Sequence, residues 1–226
     1  LAARKGIKID GGTIGIIGVG NVGKKVEQMA RYLGFNVLLC DPPRAAAEGN
    51  EGFCTLEYLL ENSHVVTMHV PLDDSTRNMA DSVFFSMMQQ GSIFINASRG
   101  EVVDESALKL ALPKLGAVAI DTWNNEPNVD AELVDMVDIA TPHIAGYSYQ
   151  GKQTGTAMAV RAVARYFGIE ELYDFFPEDE PDHEPILLEL TGKNHGQIAA
   201  VFQYNYPIFT DDFRFRMDPT RFEKLR

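Results

Sequence analysis

The sequence predicts an α/β fold, a doubly wound parallel sheet followed by a small C-terminal α+β domain. Three observations carry that expectation. From Thr13 onward, short apolar runs alternate with segments of helical periodicity, the pattern of a parallel sheet covered by helices on both faces. A glycine-rich turn, Gly18-Val19-Gly20-Asn21-Val22-Gly23, joins the first apolar run to the first helical segment. After Gly168 the composition changes to a crowded acidic stretch broken by Pro177, Pro181 and Pro185.

Six strands are expected, at Thr13 to Gly18, Asn36 to Cys40, Val65 to His69, Ser92 to Asn96, Ala117 to Asp121 and Val137 to Ala140, each short and continuously apolar as strands buried on both faces should be. The helix after the first strand is expected to set Val22, Val26, Met29 and Leu33 against the sheet and to stop at Gly34. Leu112-Pro113-Lys114-Leu115-Gly116 ends another helix abruptly, because proline cannot continue one. Ala157, Val160, Ala164 and Phe167 recur at helical spacing, so Gly151 to Gly168 reads as a long final helix stopped by its last glycine.

These elements divide the chain into a first domain over residues 1–142, a helix over 143–168 returning toward another domain, and a C-terminal domain over 169–226. The acidic run from Glu170 to Glu184 reads as a solvated linker. Beyond it, Phe202, Tyr204, Tyr206, Phe209, Phe213, Phe215 and Phe222 exceed what roughly 40 residues can bury among themselves. They point to a second subunit and a homodimer, the alternative being that the tail packs on its own dinucleotide domain.

Composition narrows the function. At 226 residues and 45% hydrophobic content the chain can bury one full domain and a smaller one. A net charge of −12 argues against nucleic acid or an anionic membrane as partner, since a phosphate surface repels such a body. No apolar run reaches the roughly 18 residues that span a bilayer. Cys40 and Cys54 make no disulfide framework and have no partner at metal-ligand spacing, so no metal is expected and a reducing cytoplasm fits. The chain opens at Leu1 and enters its first strand almost at once, so an upstream segment is expected.

The glycine turn has the context that a dinucleotide site requires: it follows a strand, opens a helix, and is followed by Asp41 at the end of the next strand, as in a Rossmann-type fold. Gly18 allows the tight turn, Gly20 lets the backbone approach a pyrophosphate, and Gly23 permits close helix packing, while Asn21 and Val22 present uncapped N–H groups. Asp41 is expected to accept from the adenosine ribose hydroxyls and to repel a 2′-phosphate, which favours NAD. Arg44 reads as a surface arginine or, in the alternative, softens that preference.

Three further motifs fall at the C-terminal ends of later strands, where an open α/β sheet binds its ligands: Asn96-Ala97-Ser98-Arg99-Gly100, Asp121-Thr122-Trp123-Asn124-Asn125-Glu126-Pro127 and Thr141-Pro142-His143-Ile144-Ala145-Gly146. Arginine offers a planar fork to a carboxylate, histidine moves a proton near neutral pH, and a neighbouring carboxylate favours the imidazolium. Those are the parts that oxidation of a 2-hydroxy acid needs.

With His69-Val70-Pro71-Leu72 after the third strand, the order of motifs resembles the D-isomer-specific 2-hydroxyacid dehydrogenase family from Gly12 to about Gly168. Cys40-Asp41-Pro42-Pro43-Arg44, Tyr147-Ser148 with Gly151-Lys152, and the closing Asp211-Asp212 through Arg226 are similar to its erythronate-4-phosphate branch, which carries an extra dimerisation domain. The resemblance implies that Arg99, Glu126 and His143 are catalytic, His143 exchanging the proton, and that Tyr147 touches substrate together with Arg99. It implies that Asp41, Val70, Ala97, Ser98, Asp121 and Gly146 join Gly18 to Gly23 around NAD. His69 matches a family position that is as readily structural as functional. The implied reaction is oxidation of C2 of 4-phospho-D-erythronate, a step toward pyridoxal 5′-phosphate, with Lys152 and Arg77 as candidates for the substrate phosphate. A general D-2-hydroxyacid or phosphoglycerate dehydrogenase and an NAD-sensing corepressor-like protein are the alternatives. The resemblance implies that the N-terminal part of the family's substrate domain is to be expected upstream of Leu1.

Overall fold

The computed structural model describes residues 1–7, 11–177 and 195–226. They fall into two compact units, one of Leu1–His143 with Lys193–Arg226 and one of Ile144–Gly192.

The first unit is built on six strands: β1 (Thr13–Ile17), β2 (Asn36–Cys40), β3 (Val65–Met68), β4 (Ile93–Asn96), β5 (Ala117–Ile120) and β6 (Ile139–Ala140). All pair in parallel in the order β2-β1-β3-β4-β5-β6. The order reverses between β1 and β3, so the loops leaving those two strands diverge and open a crevice at the C-terminal edge of the sheet. The expected strands are present, and Gly18, His69 and Asp121 are released from the ends of β1, β3 and β5 into the loops that follow.

Helices α1 (Ala2–Lys5), α2 (Asn21–Tyr32), α3 (Pro42–Glu48), α4 (Leu56–Asn62), α5 (Ser82–Met87), α6 (Glu105–Ala111) and α7 (Ala131–Met136) fill the connections. Side chains alternate across the sheet as the pleat demands. Ile16, Val65, Ile93 and Ala117 join Ala30 of α2 in one core layer, whereas Ile17, Val66, Phe94 and Val118 join Leu59, Phe84, Phe85, Leu108 and Leu133 in the other. Thr55, Asp81, Asp104 and Asp130 cap the helices that succeed them, each accepting a backbone N–H in the first turn.

One expectation is corrected. The face of α2 turned to the sheet is Gly23, Val26 and Ala30, while Val22 and Met29 are 60% and 46% exposed. A Cβ on Gly23 would lie 2.1 Å from the Gly18 carbonyl oxygen, so the helix approaches the turn too closely for a large residue on that side. The described part of the C-terminal region is helical, with α9 (His195–Asn205), α10 (Ile208–Met217) and α11 (Phe222–Leu225). It belongs to the same compact unit as the sheet. Phe215 and Phe222 are buried in the core layer that also holds Trp123. Asp212 accepts the Ala140 N–H of β6 at 2.7 Å, and Arg216 donates to the carbonyls of Val134 and Val137. The tail thereby closes the free edge of the sheet.

The second unit contains α8 (Tyr149–Phe167), capped by Ser148 and terminated by Gly168 in the left-handed conformation at φ 68°. A short turn at Glu170–Leu172 comes next, and Arg161 Nε donates to the Phe175 carbonyl at 2.8 Å. The later part of the expected acidic linker, from Glu178 through Glu184, lies outside the described residues, as does Pro185. No helix among the described residues is long and apolar enough to cross a membrane.

Candidate active site

The crevice between β1 and β3 is shaped by the glycine turn. Gly18, at φ 84°, sits where a Cβ would strike the His69 carbonyl at 2.7 Å and the Val70 side chain at 2.9 Å. Gly20 has open space in front of it and serves α2 as an N-cap without a side-chain hydrogen bond, so the first N–H groups of a 12-residue helix face that space. This is a cradle for a phosphate-bearing ligand, and its residues fit the pyrophosphate of a dinucleotide. Asp41 holds the turn from the side: Oδ2 accepts the Val19 N–H at 2.7 Å and Oδ1 the Arg44 N–H at 3.1 Å. A carboxylate has about four acceptor sites, so two remain for ribose hydroxyls. Arg44 is more than a surface arginine, since its Nη1 donates to the Val19 carbonyl at 2.8 Å.

Farther along the same edge, the loops after β5 and β6 bring Asp121, Glu126 and His143 together. His143 Nδ1 and Glu126 Oε2 are 2.7 Å apart, both side chains about one-fifth exposed. Glu126 is held from behind by the Trp123 N–H, which donates to Oε1 at 2.8 Å, and the Trp123 indole donates to the Thr141 carbonyl at 2.9 Å. The Thr141 hydroxyl donates to Asp121 at 2.6 Å, and the His143 N–H donates to the Asp121 carbonyl at 2.7 Å. His143 is thus fixed through ring and backbone, and it occupies the left-handed region at φ 53°, an unusual conformation for a residue with a side chain.

In the β4 loop, Asn96 organises the three residues after it: its amide donates to the Arg99 carbonyl at 2.9 Å and accepts from the Ser98 N–H and hydroxyl at 3.1 and 2.7 Å. Ser98 is buried, Ala97 is half-buried, and the exposed Arg99 turns one Nη back to the Ser98 carbonyl at 2.7 Å. Gly100 lies against the Trp123 backbone, where a Cβ would meet atoms at 2.0 Å, so these two loops pack without a side chain between them. The half-buried Glu105 carboxyl, raised above its ordinary range by desolvation, accepts the Asn124 N–H at 2.9 Å.

Sequence reasoning left Trp123, Thr141 and Asn96 without roles, although each stands inside a motif it had singled out. Gly146, Tyr147 and Lys152 belong to the second unit, where the Lys152 ammonium lies 3.9 Å from the centre of the Tyr147 ring. Arg77 lies instead with Glu101, Asp104, Glu105 and Asp130 around a cavity of about 450 Å³.

The model of the D-isomer specific 2-hydroxyacid dehydrogenase NAD-binding domain matches residues 2–145. The chain belongs to this family. Membership identifies the cofactor of the glycine cradle as NAD. Among the curated members similar to it, erythronate-4-phosphate dehydrogenase of Chromohalobacter salexigens is 45% identical over 175 residues, covering 75% of this chain and 46% of that protein. Erythronate-4-phosphate dehydrogenase of Yersinia pestis is 38% identical over 239 residues, covering 100% of this chain and 63% of its own length. The chain therefore spans about half to 63% of these family members. Among solved structures, D-lactate dehydrogenase of Aquifex aeolicus, complexed with NAD and lactic acid, is similar at TM-score 0.62 and 27% identity, over 73% of this chain and 56% of that one. A glyoxylate reductase from Paecilomyes thermophila is similar at TM-score 0.60 and 29% identity, over 68% and 51%.

Proposed function

We propose that this chain is the cofactor-binding part of an erythronate-4-phosphate dehydrogenase, which oxidises C2 of 4-phospho-D-erythronate to the 2-oxo acid. The observation that carries the reading is the Glu126–His143 pair, held at 2.7 Å beside a dinucleotide cradle in a chain whose relatives bear that name. Bound NAD supplies the acceptor for the hydride leaving C2.

Glu126, as a carboxylate, favours the tautomer with hydrogen on Nδ1, which leaves the His143 Nε2 lone pair to take the substrate hydroxyl proton. The imidazolium so formed keeps its ionic hydrogen bond to Glu126. Arg99 is assigned to the substrate carboxylate, which its planar fork matches. Asp121, Val70, Ala97, Ser98 and Gly146 are assigned to NAD with the glycine turn, and Tyr147 to the substrate. Of the two phosphate candidates Lys152 is retained, because the acidic surroundings of Arg77 oppose a phosphate.

The molecule is proposed to work as a homodimer in the cytoplasm. Phe202, Tyr204, Tyr206, Phe213 and Met217 are each at least half exposed, a surface rich in the residues that interfaces favour. Cys40 and Cys54 are free thiols, and burial pushes the Cys40 thiol up to about 11, away from the reactive thiolate. The test is turnover of the full-length enzyme with 4-phospho-D-erythronate and NAD, set against D-lactate and 3-phospho-D-glycerate. A preference for either rival substrate would overturn the assignment.

A further inference from the structure

An arginine beside the acid at the end of the second strand is what this type of fold uses to accept a 2′-phosphate on the ribose. Arg44 stands at that place, hydrogen-bonded to the turn through the Val19 carbonyl at 2.8 Å and, through its own N–H, to Asp41 at 3.1 Å. Its guanidinium is nevertheless occupied. Nε and Nη2 form a bidentate pair with Glu48 Oε1 and Oε2 at 2.9 and 2.5 Å, one turn further along α3, and the group also lies over the Phe53 ring at 5.2 Å. Glu27 and Glu51 line the same groove and add to its negative charge, against Lys24 and Arg31.

The Nε–Nη2 side of the guanidinium fork is therefore turned to Glu48, and Nη1 is turned to the Val19 carbonyl. A 2′-phosphate entering here would meet the Asp41 carboxylate and an arginine whose charge is already matched. We propose that Glu48 is a specificity-determining residue: by sequestering Arg44 it keeps an arginine placed for a 2′-phosphate from receiving one, and so helps Asp41 restrict the site to NAD. The inference rests on the assignment of the glycine turn to NAD.

The half-exposed Glu48 carboxylate can be replaced without disturbing the core. Dissociation constants for NADH and NADPH, measured by fluorescence titration on the purified protein, give a discrimination ratio for the parent, for Glu48→Gln and for Glu48→Gln with Arg44→Ala. The ratio of NADPH to NADH constants should fall about tenfold in Glu48→Gln, the scale of a charge-assisted hydrogen bond to phosphate. Removing Arg44 as well should return it toward the parent value. A ratio unchanged in Glu48→Gln overturns the proposal, and so does a gain that survives the loss of Arg44, because the freed arginine would then not be its source. A parent that binds neither nucleotide would instead defeat the cofactor assignment on which the inference stands.

Discussion

His143 and Glu126 lie 17 positions apart and meet because the loops after β5 and β6 leave the same edge of the sheet. Replacing Glu126 by Gln keeps the shape and removes the charge, so turnover should fall by roughly 10²-fold, the usual cost of disabling general base catalysis. A kcat close to the parent's would exclude Glu126 from the proton transfer. His69 gives a pH signature. Burial holds its imidazole below the ordinary value of 6.5, so the folded state resists its protonation more than the unfolded chain does. The stability it confers is full above about pH 6.5 and is lost as pH falls through the folded-state value. His69→Gln should flatten the decline of the urea midpoint between about pH 7 and pH 5; the same decline in parent and variant would contradict this. The glycines, Asp41, Glu126 and His143 were legible in the sequence, because residue type and position at a strand end suffice to suggest their chemistry. Trp123 and Arg44 were not, since their roles depend on a backbone N–H and on a side-chain partner that come into place only once loops are folded.

The packing face of α2 shows where pattern reading fails at the scale of an element. Hydrophobicity points Val22 and Met29 inward, yet contact with the Gly18 carbonyl leaves room only for Gly23 at the start of that face, which continues through the buried Ala30. Gly23→Ala should therefore weaken NAD binding by displacing α2 from the turn, and titration with NADH reads the loss. An unchanged dissociation constant would mean that the turn tolerates the displacement. The junction of α10 with the loop after β5 was equally hidden, because Trp123 and Phe215 stand far apart in sequence and pack with ring centres 5.7 Å apart. Phe215→Ala should cost about 3–5 kcal/mol, the range for emptying a buried phenylalanine site. Because Trp123 holds Glu126 and Thr141, it should also lower kcat more than it raises the KM for NAD. Denaturant unfolding and steady-state kinetics on the same variant check the two parts.

At the scale of the molecule, the parallel sheet and its cofactor edge were legible because six short apolar runs and one glycine turn admit few arrangements. The placing of the tail was not: its composition fits a second subunit and its own domain alike, and only the fold shows that Phe215 and Phe222 complete the core of the first unit while Asp212 caps its edge strand. The proposed dimer contact is left with Phe202, Tyr204, Tyr206, Phe213 and Met217. Joint replacement of Phe202 and Tyr204 by Ser should shift the light-scattering mass from dimer to monomer without unfolding the sheet; a mass that stays dimeric would place the interface elsewhere. That a family-type His–Glu pair works on a hydroxy acid beside bound NAD is tested most directly by NADH formation from 4-phospho-D-erythronate in the full-length enzyme carrying His143→Asn. NAD affinity should stay close to the parent's while turnover falls at least roughly 10²-fold. Near-normal turnover in that variant would contradict the role of the pair.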